Sequence, residues 1–401
     1  MNGNLYYDIL WERNYEKGYA NCRVAVDSDD NIVVCGIDKD YKGMVLKYDK
    51  DGNLLWADHA LPEIYRRRIL NFTELPTKNL EERFGGFLDI AIDRENNIAV
   101  VGSFYDEKGE KCIVYVKKYD ASGRKIWDKT FSLFDYNQST GIGIDSSGNI
   151  FIVGYGGSTK PPRLRGFIAK FSSDGRVLWW RKVRKFGKIF TGYTSLVIDQ
   201  NFIYAVGMTV GLRGYDLLLT KFRERWKIRD KIINRMVLPG KIIMDNEKNL
   251  IVVGQEEDGG YKHYISKIST QFEILWENKD MDGGLYDAVL FENKIAVTGK
   301  IMETKYYAGI FDSQGKKLID MFLGNLISNG RDMNDWMRGI AIDSLGNLII
   351  VGAAPVAKTI KVSIKEEIEE EHLQPTEEEK PKEKKTFMDI LLEFFKRLFG
   401  T

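Results

Sequence analysis

One phrase recurs along this chain and fixes what it can fold into. It reads "VAVDSDDNIVVCG" (24–36), "IAIDRENNIAVVG" (90–102), "IGIDSSGNIFIVG" (142–154), "LVIDQNFIYAVG" (196–207), "IIMDNEKNLIVVG" (242–254), "AVLFENKIAVTG" (288–299) and "IAIDSLGNLIIVG" (340–352). The copies end at Gly36, Gly102, Gly154, Gly207, Gly254, Gly299 and Gly352, at spacings of 45 to 66 residues. Self-similarity at such a period is the signature of a repeat architecture. Each phrase holds two short β-rich runs around an Asp/Asn/Gly turn. The runs are apolar on both faces, as inner strands covered on two sides are.

A second phrase follows each copy: "KYDKDGNLLW" (47–56), "KYDASGRKIW" (118–127), "KFSSDGRVLW" (170–179), the degenerate "KFRERWKIRD" (221–230), "KISTQFEILW" (267–276) and "IFDSQGKKLI" (310–319). Its Asp49-Lys50-Asp51-Gly52 opens like a calcium loop. A calcium loop needs a bidentate acid at a fixed late position, whereas here the chain runs straight into an alternating strand. Asp or Ser first and Gly near the end build a tight hairpin turn, because Gly accepts positive φ. We therefore read turns, with no metal site.

Four antiparallel strands per unit and seven units predict an all-β fold, a seven-bladed β-propeller. The seventh unit lacks its last strand, and "YYDILWERN" (6–14) matches it. The N-terminal strand is expected to complete the last blade and so remove the open edge. With its Asp-x-x-Gly-Asn and Lys-aromatic-Asp-x-x-Gly-x-x-x-Trp phrases, the chain resembles the SBBP type of β-propeller repeat over roughly residues 4–362. Arg223-Glu224-Arg225 in place of a turn, and Ile319 in place of Trp, depart from that pattern. The recurring Trp11, Trp56, Trp127, Trp179, Trp226 and Trp276 are read as blade-to-blade packing rather than a cofactor box. Lys47, Lys118, Lys170, Lys221 and Lys267 are read as snorkelling or ion-paired within blades.

In a propeller the loops between second and third strands share a face with the loops between blades. All the length variation falls there, so binding is expected on that face. The long connections are 61–86, 155–166, 181–192 and 328–339. Arg66, Arg67, Arg68, Arg163, Arg165 and Lys185 form a candidate basic patch from the first three blades, while acids such as Glu256, Glu257, Asp332 and Asp335 come from the last three. A dipolar face of this kind would take a charged partner or an anionic ligand.

Formal net charge is +1, so charge over the whole chain makes no case for nucleic acid or an anionic membrane. Abundant Lys, Glu, Ile and Tyr with sparse Gln resemble a thermophile's usage. The three cysteines, Cys22, Cys35 and Cys112, form no CxxC and are expected to be free thiols in a reducing compartment. No secretory signal is visible and no run of apolar residues is long enough to span a membrane, so a cytoplasmic location is expected. No HExxH, GxSxG, P-loop or paired-Cys motif is present. We expect no cofactor and no catalytic residues. The rival reading is an enzyme, a lyase or hydrolase, with its site in the propeller channel.

After the propeller (1–364) the composition changes. Residues 365–385 are almost all Glu, Lys and Pro, a solvated linker. Residues 386–401, "TFMDILLEFFKRLFGT", place Phe387, Met388, Leu391, Phe394, Phe395 and Leu398 on one broad arc of a helix, which needs a cover. The spacing Met388-x-x-Leu391-x-x-Phe394-Phe395 resembles the PIP box of sliding-clamp partners, with Met388 where that motif has Gln. The expected function is a non-enzymatic interaction scaffold with a tethered docking helix, bound to a protein. The alternatives are an interfacial membrane helix and a helix folded back onto the propeller.

Overall fold

The computed structural model describes residues 5–40, 42–61, 86–105, 111–159, 162–185, 187–211, 214–233, 236–257, 260–301, 305–325, 337–354 and 356–366. The strands belong to the compact unit Asn4–Lys365. The other unit, Met1–Gly3 with Glu366–Thr401, lies outside the described residues but for Glu366. The linker and the docking helix expected at 365–401 therefore fall almost wholly outside them. Among the described residues there are twenty-eight strands and no helix.

The strands pair as antiparallel meanders of four. One spans residues 18–60, and others span 237–278 and 283–325. Three more, 86–131, 136–183 and 190–233, join into one twelve-stranded sheet. The joins are single parallel pairings, Tyr136 with Cys112 and Leu164 with Phe190. The last meander takes Met337–Ile342, Leu348–Ala354 and Val356–Glu366 and adds Leu5–Tyr15 as its outer strand. Lys365 Nζ reaches Asp8 Oδ2 at 2.6 Å, and Lys358 Nζ reaches Glu12 Oε1 at 2.7 Å. The N-terminal strand does complete the last four-stranded unit.

Apolar residues on both faces of the inner strands explain how the meanders stack. Val33, Cys35 and Val45 pack with Phe87 and Val100 of the next meander, while Val34 and Leu46 of the same strands pack with Ile349 and Val351 of the last one. Seven such clusters occur among the described residues, each shared by two neighbouring meanders. A cluster between the last and the first makes the stack a ring. Each fully buried Val, Leu or Ile contributes roughly 1.5–3 kcal/mol.

The phrase beginning at Lys47 is a turn. Asp49 Oδ1 accepts the Asp51 and Asn53 amides, Asn53 Nδ2 donates to Asp49 Oδ2 at 2.8 Å, and Gly52 takes φ +83°. The recurring tryptophans read these turns on the neighbouring meander. Trp11, Trp56, Trp127 and Trp276 donate their indole N–H to Lys50, Ala121, Ser173 and Ser313 carbonyls respectively. The glycine of each such turn lies flat against the ring, where a Cβ would collide. Trp226 is an exception. Lys221 pairs across the hairpin with Arg229, whereas Lys47 pairs with Trp56. Trp226 therefore sits one turn early and is 56% exposed, so it is no packing tryptophan. The two-residue turn at Glu224, without the Asp-Gly loop, causes the slip.

The recurring lysines Lys47, Lys118, Lys170 and Lys267 are buried bridges, whereas Lys221 lies over the Phe202 ring at 4.1 Å. Lys47 Nζ binds Asp27 Oδ2 at 2.8 Å and the Ala121 carbonyl at 2.9 Å. Lys361 does the same with Asp343 (2.8 Å) and the Lys50 carbonyl (3.0 Å), so the seam between last and first meanders repeats an interior one. Burial alone would raise these carboxyls, but hydrogen bonds from lysine and asparagine outweigh it and hold Asp27, Asp93 and Asp343 below the ordinary value. A folded value below the unfolded one gives stability that is full above the unfolded pKa, about 3.9, and is lost as pH falls through the folded one. The melting temperature should therefore hold from pH 7 to about 5 and drop below about 4. An Asp27→Asn, Asp93→Asn variant should start lower and show a shallower acid limb in a thermal scan.

Within the connection 155–166, expected as a loop, residues 155–159 and 162–166 are strand. Ile150–Thr159 and Pro162–Phe171 pair as far as Thr159 with Pro162, with Gly156 opposite Arg165. Residues 62–85 and 326–336, within the other long connections, lie outside the described residues.

Candidate functional site

Every meander's first strand carries a β-bulge, at Cys22, Leu88, Thr140, Thr194, Gly240, Tyr286 and Arg338. These residues line one central cavity of about 280 Å³. A bulge re-aims the side chain beside it. The residues that follow the bulges are Arg23, Asp89, Gly141, Ser195, Lys241, Asp287 and Gly339. The phrase's terminal glycine makes room for the bulge. A Cβ on Gly207 would lie 1.9 Å from the Gly192 carbonyl oxygen, and one on Gly102 1.9 Å from that of Gly86.

Four charges from four meanders meet at the centre. Arg23 Nε stands 3.9 Å from Asp89 Oδ1 and 3.7 Å from Asp287 Oδ2, and Lys241 Nζ stands 3.7 and 3.9 Å from the same two carboxylates. Hydrogen bonds then tie the cluster to the main chain. Arg23 Nη1 donates to the Arg338 carbonyl at 2.6 Å and Nη2 to that of Tyr286 at 3.3 Å. Asp89 Oδ2 accepts the Ile142 amide at 2.9 Å, and Asp287 Oδ2 accepts that of Ile340 at 3.1 Å. Each acid thus clips the following meander, and Arg23 spans three. The neighbouring carboxylates raise the Arg23 guanidinium above its ordinary value against the opposing effect of burial, so it stays charged.

A second constellation lies where the first and last meanders meet. Tyr15 Oη is 3.0 Å from His59 Nε2, and His59 Nδ1 is 2.7 Å from Asp38 Oδ2. The order Asp–His–hydroxyl resembles a nucleophile relay. Its phenol, however, is pushed up, first by burial and then by the Asp38 charge, the opposite of activation. Asp38 is already bound through Oδ1 to the Asp40 and Lys42 amides. We read a latch that fastens the end of the N-terminal strand to the first meander. Tyr15→Phe should lower stability by about 1 kcal/mol in urea unfolding, with no change in the far-ultraviolet spectrum.

Of the candidate basic patch, Arg66, Arg67 and Arg68 lie outside the described residues. Arg163 is described by its backbone alone, opposite Ser158, and Arg165 is half-buried opposite Gly156. Lys185 is bound to Asp230 at 2.5 Å. The tail residues Phe387, Met388, Leu391, Phe394, Phe395 and Leu398 also lie outside. Cys22, Cys35 and Cys112 are buried and form no disulfide, and burial raises the Cys35 thiol well above its ordinary value. No described helix is long and apolar enough to cross a membrane.

Sequence reading missed the central cluster. Its signal is the residue four before the phrase's Asp, or before Phe291 in the sixth unit, which has no Asp; it reads Arg, Asp, Gly, Ser, Lys, Asp, Gly from unit to unit.

Similarity to solved structures decides the architecture. Raptor from Chaetomium thermophilum superposes with a TM-score of 0.59 at 11% identity, over 91% of this chain and 29% of that one. A puromycin hydrolase mutant complexed with PGG gives 0.51 at 13%, over 85% and 51%. The β-propeller domain of the Trilobed protease from Pyrococcus furiosus gives 0.50 at 11%, over 88% and 95%. The fold is a β-propeller. The chain spans under a third of the Raptor chain and about half of the hydrolase, and the likeness is one of fold. The Pyrococcus propeller is described as having an open velcro topology, whereas here the first strand pairs with the last. No family model matches the sequence, and no curated protein is similar to it.

Proposed function

We propose that each four-stranded meander is one blade of a seven-bladed, SBBP-type propeller, and that this propeller is a non-enzymatic, cytoplasmic interaction platform. The C-terminal segment is its tethered docking peptide. The central charges carry the reading. Arg23, Asp89 and Asp287 hydrogen-bond the main chain of other blades, so the strongest polar groups of the cavity hold the ring together. Contacts with partners then fall to the rim and to the tail. The tail's sequence joins a charged linker to an apolar arc, a design that positions a short helix for a groove on another protein. A sliding clamp is one groove of that kind.

The test compares the full chain with one ending at Lys385, using a purified sliding clamp and anionic vesicles as probes. Binding of the clamp that needs Phe394 and Phe395 supports protein docking. Binding to vesicles alone makes the tail an interfacial anchor. Identical behaviour of both chains overturns the role given to the tail.

A further inference from the structure

The fourth meander breaks the repeat, and the break exposes chemistry. Arg229 occupies the position where most other units place a buried or half-buried tryptophan, and Trp226 is turned out to solvent at 56% exposure; Ile228 beside it is exposed as Leu55, Leu178 and Leu275 are in their units. The slip also removes the turn that Trp179 would read. Its indole N–H is buried with no hydrogen-bond partner among the described residues, whereas Trp56, Trp127 and Trp276 keep theirs. A local loss of packing and of a hydrogen bond marks a place where something other than stability shapes the sequence.

Cations flank the exposed ring. The Arg225 guanidinium lies 5.0 Å and that of Arg181 5.9 Å from the Trp226 ring. The neighbouring outer strand repeats the pairing: Trp180 is 48% exposed with Lys182 Nζ 5.5 Å from its ring. The outer strands Val177–Val183 and Trp226–Ile233 are net positive, whereas Leu5–Tyr15, Leu54–Ala60 and Ile274–Asn278 are net negative. Of the other two outer strands, Lys125–Phe131 is also net positive but by less, and Lys317–Asn325 is neutral; positive charge is thus greatest on this side of a nearly neutral chain.

We propose that the outer surface of the third and fourth meanders binds single-stranded nucleic acid. Each exposed indole offers a face on which a base stacks, and each has a cation within reach of the adjoining phosphate. A protein–protein hot spot surrounds its anchor with apolar neighbours that exclude water; here Val177, Leu178 and Ile228 are themselves exposed, and the groups over the ring faces are the cations Arg225, Arg181 and Lys182. Duplex DNA hides its base faces and gains only the charge term. This site is separate from the tail and stands or falls without it.

The experiment is fluorescence anisotropy of a labelled dT oligomer with the full chain at rising salt, followed also by indole quenching. We expect binding that weakens as salt rises, about tenfold loss for Trp226→Ala and a comparable loss for Arg229→Glu. Leu55→Ala, an exposed residue on the first meander, should leave affinity unchanged. Melting temperatures of the Trp226 variant should match the parent, since the ring packs little. No binding at low salt overturns the proposal. So does an unchanged affinity in Trp226→Ala, equal affinity for a duplex, or full displacement by polyglutamate, which would assign the surface to an acidic polypeptide.

Discussion

Replacing Arg23 by leucine should lower the stability of the folded chain by about 3–5 kcal/mol, the largest loss expected from any single charge. The guanidinium donates to main-chain carbonyls at Tyr286 and Arg338 and sits between Asp89 and Asp287. Leucine fills much of the volume but leaves two buried carboxylates facing Lys241 alone. Removing one side of a buried charge set is far more costly than never having built it. The signature is in the double variants. Arg23→Leu with Asp89→Asn should recover part of the loss, because a neutral amide needs no counter-charge there. Urea unfolding followed by tryptophan fluorescence reads both. A loss below about 1 kcal/mol for Arg23→Leu would mean that the cluster does not hold the ring.

Gly207→Ala should cost about 3 kcal/mol, at the upper end of overpacking. Its Cβ would meet the Gly192 carbonyl oxygen at 1.9 Å, Tyr193 Cα at 2.6 Å and the Gly192 carbonyl carbon at 2.8 Å. All three are main chain, so no side chain can swing away, and the bulge itself must move. Gly187→Ala is the control. Its φ of +72° carries strain, but nothing lies within 4 Å, so about 1 kcal/mol is expected. Equal losses at the two positions would mean that the recurring glycine serves backbone conformation rather than close approach.

The architecture was legible because it repeats. Asp49, Gly52 and Trp56 recur with their spacing, and each has a local job that the structure repeats: a carboxylate closing a turn, a glycine at positive φ, an indole on the next turn. The closing strand was legible for the same reason, since Trp11 stands in the same phrase and reads Lys50 as Trp56 reads Ala121. What does not repeat was not legible. Arg23, Asp89, Lys241 and Asp287 meet only because seven bulges converge, and no two of them are near in sequence. Trp226 misled because a tryptophan near the right place was counted as the repeat's own. Pairing of Lys221 with Arg229 shows the frame has slipped. His59 stands in no recurring phrase, yet it joins Tyr15 to Asp38 across the seam.

Closure of the ring by the N-terminal strand is the claim on which the rest depends, and native-state hydrogen exchange tests it most directly. Ladder amides in Leu5–Tyr15 should be protected well beyond those of an isolated strand and should open together with Val356–Glu366, because the two pair in one sheet. Exchange of Leu5–Tyr15 as fast as in an unfolded peptide, with the Val356–Glu366 strand still protected, would contradict it.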